Sequence, residues 1–247
     1  MSAFARHDRV LVSPRHLAGG GPSRINDAIG PLIHLFDWHT DHNPDTGRVS
    51  LDSPDGSLFV DFDPTTPDKP WWSIRNHEPH WTAEFTRQTP AEAVAAVTQS
   101  LPQLLGDHRH AERIPLTDTD LAETAALNHW TATTSADGTA YTSPDGYCTL
   151  RHAPGAETAW RVENSLADGF DTHWSATFTT ETPHRVVAQF FAHLTTTAPV
   201  EREYREIPYT ARDFGDTLIT PARTTGVNPQ VPHAAAQAAH ARAARRR

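Results

Sequence analysis

The chain has 247 residues, of which 37% are hydrophobic and 21% charged, and its formal net charge is −9. A single cysteine, Cys148, excludes an internal disulfide framework, and no apolar run approaches the ~18 residues that a membrane-spanning helix needs. The composition also excludes collagen and coiled coil, and the length suits one large domain or two small ones.

Charge is unevenly spread. Residues 1–200 carry 13 Lys and Arg against 25 Asp and Glu, and residues 201–247 carry 8 against 5. An acidic body argues against a broad electrostatic footprint for nucleic acid and disfavours an acidic ligand. The 16 histidines make the net charge sensitive to mild acid.

The opening MSAFARH runs straight into a strand-like RVLV, without the charged and apolar regions of a signal peptide. With the lone cysteine, this predicts a cytoplasmic protein. Ala18-Gly19-Gly20-Gly21-Pro22 has no phosphate-loop spacing and reads as a flexible connection. A short helix is predicted near Ile25–Phe36. The stretch DWHTDH then groups Asp37, His39, Asp41 and His42, and His77 and His80 form an HxxH. Neither has the HExxH arrangement, neither recurs, and no metal or other cofactor is expected.

RVSLDSPDGSLFVDFDP alternates apolar and polar residues around Ser53-Pro54-Asp55-Gly56. Pro54 presets the first turn torsion and Gly56 tolerates positive φ, which predicts a hairpin. Two strand-like runs follow, WWSIRN and HWTAEFT. Thr89-Pro90 then predicts a helix start with Thr89 as N-cap, and Val94, Val97 and Leu101 share one apolar face.

The same order then returns. Residues 80–101 and 173–194 align without a gap and share 10 of 22 positions. Upstream, Ser143-Pro144-Asp145-Gly146 repeats the turn, Trp160 matches Trp72, and Trp130 matches Trp38. Thr182-Pro183 repeats the helix start, and a short helix is predicted near Asp120–Leu127. Such repetition marks a tandem duplication. The predicted fold is α+β, a tandem of antiparallel four-stranded sheet plus helix units. Residues 1–107 form the first repeat and residues 108–206 the second, with a hinge at 104–115. Residues 207–247 read as a linker and a flexible Ala/Arg-rich tail.

The tandem SPDG hairpins, the opening VLVSPRHLAGGG and the HW-x-A-x-F…TP-helix pattern resemble the SPDY domain family of actinomycetes, over residues 9–200 in two copies. Gly56 and Gly146 stand where that motif has Tyr. The resemblance implies the domain architecture; it implies no activity, cofactor or catalytic residue.

Six of the seven tryptophans recur between copies, as shared core positions would. Trp71 has no counterpart and is the expected exposed anchor. His80 and His173 are the duplicated histidines and, with Trp81 and Trp174 inside, are expected to face outward on a common sheet surface. Arg242, Arg245, Arg246 and Arg247 form a basic tail. Ser53, Pro54, Asp55, Gly56, Ser143, Pro144, Asp145 and Gly146 are structural turn residues. Cys148 reads as a small hydrophobe, and no catalytic constellation is visible. The reading is a non-catalytic binding or scaffold protein engaging a protein partner through an exposed sheet face. The first alternative is a nucleic-acid binder with an aromatic sheet platform and the Arg tail; the second is a metal-dependent enzyme through His39 or His77.

Overall fold

The two SPDG turns close almost identically. In the first, the Ser53 hydroxyl donates to Asp55 Oδ1 at 2.6 Å and accepts the Leu58 amide at 2.9 Å. In the second, Ser143 donates to Asp145 Oδ1 at 2.6 Å and accepts the Cys148 amide at 2.9 Å. Gly56 (φ 70°) and Gly146 (φ 79°) lie in the left-handed region, where a side chain at this turn position is strained. The computed structural model that shows this describes residues 4–167, 171–213 and 217–222.

Each turn sits inside a five-stranded meander. The first is β2 (His39–Asn43), β3 (Arg48–Asp52), β4 (Leu58–Phe62), β5 (Trp72–Asn76) and β6 (Trp81–Phe85). The second is β7 (Thr131–Ser135), β8 (Gly138–Thr142), β9 (Cys148–His152), β10 (Trp160–Ala167) and β11 (Asp171–Phe178). The predicted four-stranded unit therefore gains a strand in each copy. The added strands are polar and exposed, HTDHN and TATTS, so they lack the alternation that marks a half-buried strand.

The two meanders join into one ten-stranded antiparallel sheet, ordered β2-β3-β4-β5-β6-β11-β10-β9-β8-β7. The seam is a pseudo-two-fold axis. Phe85 pairs with Ala176, Ala83 with Phe178, and Glu84 with Thr177 between them, so equivalent residues exchange places. The side chains obey the same symmetry. The Ser175 amide donates to Thr86 Oγ1 and the Thr82 amide to Thr179 Oγ1, both at 2.8 Å. Thr86→Val and Thr179→Val each leave one of these amides unpaired. Each is expected to cost about 1–2 kcal/mol in urea unfolding, equally on both sides of the seam.

Helices cover one face of the sheet. α1 (Ile25–Phe36) packs on α2 (Ala91–Leu104), α2 on α4 (His184–Thr195), and α4 on α3 (Leu121–Leu127). Trp38, Trp72, Trp81, Trp130, Trp160 and Trp174 are all buried in the single core between helices and sheet. The opposite face carries Ser50, Asp61, Ser73, Glu84, Thr177 and Arg161, half-buried or exposed. Thr89 and Thr182 do not cap the helices: Pro90 and Pro183 hold the N-cap positions. The two hydroxyls donate instead across the seam, to the Ser175 carbonyl at 3.2 Å and the Thr82 carbonyl at 3.5 Å.

The connection read as a hinge is pinned. Arg109 bonds Asp107 and reaches Asp37 at 3.0 Å, and the Gln103 amide donates to the Ile114 carbonyl at 2.5 Å. Beyond the second repeat the chain continues to build. β12 (Val200–Glu203) and β13 (Leu218–Pro221) flank β1 (Arg9–Ser13) in a separate antiparallel sheet. A short helix, α5 (Tyr209–Asp213), lies between them in the chain. Ile207 and Ala211 join Val10, Val12, Leu17 and Val200 in a second core. Residues 207–213 and 217–222, expected as linker, are thus part of the fold. Residues 223–247, with Arg242, Arg245, Arg246 and Arg247, lie outside the described residues.

Candidate functional site

The site lies where the second core meets the first repeat. Its floor comes from β4 and the chain leading into β5. Trp71 is only partly buried, against Phe62, their rings edge-on at 5.8 Å between centroids. Its backbone is fixed on both sides: its amide donates to the Phe85 carbonyl, and its carbonyl accepts from the Asp63 amide. The indole Nε1 is buried with no hydrogen-bond partner. The Arg87 guanidinium stands 5.0 Å above the indole ring, a cation–π distance.

The C-terminal segment forms the opposite wall. Arg205 pairs with Glu203 at 2.7 Å, and Arg212 stands over the rings of Tyr204 (5.2 Å) and Tyr209 (5.8 Å). Between the walls is a cavity of about 330 Å³, lined among others by Trp71, Arg87, Arg205, Arg212 and Tyr209. Among the described residues no carboxylate pairs with Arg87 or Arg212. The one acidic group lining the cavity, Glu206, is held by the Ser23 amide and hydroxyl at 3.2 and 3.3 Å. A chain that is acidic as a whole therefore presents a locally cationic cleft, opposite in sign to what its net charge suggests.

The glycine run supplies the third side, and it is no loose connection. A Cβ on Gly20 would stand 2.1 Å from the Arg87 carbonyl oxygen. Gly19 (φ 73°) packs on the Pro208 ring, and Gly21 (φ 53°) on the Arg202 guanidinium. Only glycine lets this backbone approach both walls.

Arg202 holds the C-terminal wall. It is 1% exposed, and its two terminal nitrogens donate to the two oxygens of Glu92, each at 2.6 Å. Glu92 lies in the first turn of α2. Burial pushes its carboxyl up, but the bonds and charge of Arg202 outweigh burial and hold it below the ordinary value. Arg15, also buried, donates to the His193 carbonyl, and burial pulls it below the usual arginine range.

The other residues singled out in the sequence lie apart. β6 and β11 run antiparallel, so His80 and His173 stand at opposite ends of the seam rather than on a common surface. His80 is exposed in the turn before β6. His173 lines a small groove with Arg87 and Gln88, beside the cleft. Asp37 pairs with Arg109, while His39 and Asp41 lie along the edge strand β2. Among the described residues no three His, Cys, Asp or Glu side chains are grouped to hold a metal ion. Burial drives the Cys148 thiol far up, which disfavours its thiolate. The buried tryptophans face the helices, so the open face of the sheet offers no indole for base stacking.

The architecture defines a tandem sheet–helix repeat protein with a cleft at its junction with the flanking segments. The chain carries two SPDY domains: the family model, described as a domain of unknown function (DUF317), matches residues 52–103 and 142–200. No curated protein and no solved structure matches it. Trp71 and Arg87 lie within the first match, whereas Gly19–Gly21, Arg205 and Arg212 lie outside both. The cleft is thus built where the domain meets the segments around it. Its one sequence signal was Trp71, whose place in the second copy is taken by Ala159.

Proposed function

We propose that this protein is a non-catalytic binding protein, and that it engages a protein partner by seating an acidic segment of that partner in the cleft around Trp71. The observation that carries the reading is the convergence of Arg87, Arg205 and Arg212 on a cavity floored by Trp71. Arginine and tryptophan dominate interface energetics because they combine large apolar area with directional donors. The open sheet face, lined by Ser, Thr and paired charges such as Asp61–Arg75, is the weaker candidate because such a face is well solvated. The compartment proposed is the cytoplasm. Cys148, the chain's one cysteine, is a free buried thiol, which suits reducing surroundings. Among the described residues no helix is long and apolar enough to cross a membrane.

The test is fluorescence anisotropy with labelled peptides of one length, either Asp/Glu-rich with a single aromatic residue or neutral. Acidic peptides are expected to bind and to weaken with salt. Trp71→Ala, losing an interface anchor worth about 2 kcal/mol or more, should weaken binding at least tenfold. Arg87→Ala and Arg212→Ala should flatten the salt dependence. Equal binding of acidic and neutral peptides, or of wild type and all three variants, would refute the assignment. A single-stranded oligonucleotide binding more tightly than any peptide would replace it with the nucleic-acid reading.

A further inference from the structure

Among the described residues the ten-stranded sheet has two free edges, and they differ. β2 carries His39, Asp41 and His42, charged or ionisable groups of the kind that discourage strand pairing. β7, its counterpart in the second repeat, reads Thr131-Ala132-Thr133-Thr134-Ser135. All five residues are exposed, none is charged, and the strand has no proline. Its pairing with β8 runs without a register shift, so no bulge turns the edge away. Threonine favours extended backbone. Among the described residues β7 has no strand on its outer side.

We infer that β7 pairs antiparallel with β7 of a second copy of this chain, so that the sheet continues across a two-fold axis. Three observations select this partner. First, the strand is self-complementary. An axis at Thr133 sets Thr131 opposite Ser135 of the other copy and Ala132 opposite Thr134, with no like charges facing. The same register brings the exposed His129 and Asp137, which flank the strand, towards each other twice, as an acidic and a basic group. Second, α3, the outermost helix at this end, leaves Leu127 66% exposed beside the edge. A two-fold axis through β7 would bring the two α3 helices together and cover it. Third, the chain already makes this kind of joint internally: β6 and β11 meet edge to edge about a pseudo-two-fold axis lined with threonines. Isologous pairing of this sort closes after two copies, because each copy uses up its uncharged edge of the ten-stranded sheet.

Sedimentation equilibrium of the full chain tests the idea. The expected mass is twice the 27.3 kDa of one chain. Thr133→Lys places two cations at the axis and should weaken the dimer at least tenfold, while circular dichroism stays unchanged because residue 133 is exposed. Thr133→Cys should crosslink chain to chain with a short bis-maleimide, and His42→Cys on the opposite edge should not; Cys148 is buried and silent. A monomer at all concentrations would overturn the inference. So would a dimer indifferent to Thr133→Lys, or one crosslinked through position 42 rather than 133.

Discussion

Arg202→Ala is expected to lower the unfolding free energy by about 3–5 kcal/mol, the cost of removing one partner from a buried ion pair. Among the described residues, Arg202–Glu92 is the one ion pair between the β1–β12–β13 sheet and the helices over the large sheet. Besides its two bonds to Glu92, Arg202 donates to the Glu201 carbonyl at 2.9 Å and to the Gly19 carbonyl at 3.2 Å. Its loss strands the Glu92 carboxylate in a half-dry site and unpins both the glycine run and the cleft wall. Guanidinium unfolding of the single variant measures the first effect, and peptide affinity the second. Replacing both partners by apolar residues, Arg202→Met with Glu92→Leu, should recover most of the stability, since neither charge then remains buried. A single-variant loss under 1 kcal/mol would mean that the pair is solvated and does not hold the segment.

How much of this was legible beforehand depended on whether a residue's partner lay nearby in the chain or far away. The SPDG hairpins, the paired tryptophans and the Thr-Pro helix starts were readable because they are local patterns that occur twice. β2 and β7 were not, since an edge strand with no buried residue lacks the buried face that sets a period of two. β12 reads VERE and β13 LITP; both become strands only because β1, some 190–210 residues earlier, pairs with them. The threonine hydroxyls were misassigned for the same reason. A local rule made them N-caps, but a symmetry partner supplied better-placed carbonyls across the seam. Within the cleft, Trp71 was visible as the one unrepeated tryptophan. Arg205 and Arg212 carried no signal, because what brings them to Trp71 is the buried Arg202–Glu92 pair, which spans 110 positions.

The duplicated turn also predicts an asymmetry that the repeat alone hides. Asp55 and Asp145 are equivalent, yet their replacement by alanine should have unequal effects. The Asp55 carboxylate bonds the Ser53 hydroxyl and the amide and hydroxyl of Ser57, all within its own exposed turn. Asp55→Ala loses those turn bonds, about 1 kcal/mol. Asp145 also accepts from Nε2 of His16 at 2.7 Å, and His16 is 3% exposed. The His16 carbonyl in turn accepts the Trp174 indole N–H at 2.9 Å, so this contact ties the N-terminal segment to the core of the second repeat. Asp145→Ala leaves a buried imidazole without its acceptor and should cost about 3 kcal/mol. Acid should reveal the same contact. Burial pushes the Asp145 carboxyl up, but the bond and charge of His16, with Ser143 and the Tyr147 amide, prevail and hold it below the ordinary carboxylate value. A depressed carboxyl favours the fold above its unfolded pKa of about 3.9 and loses that contribution as the pH falls through the folded value. Wild type should therefore lose stability steeply below about pH 4. Asp145→Ala should be less stable at neutral pH and flatter in acid; the Ser53 hydroxyl and Ser57 hold the Asp55 carboxyl low as well, so Asp55→Ala should also flatten the acid profile while losing less at neutral pH. Equal losses of stability at neutral pH for the two variants would show that His16 does not discriminate between the turns.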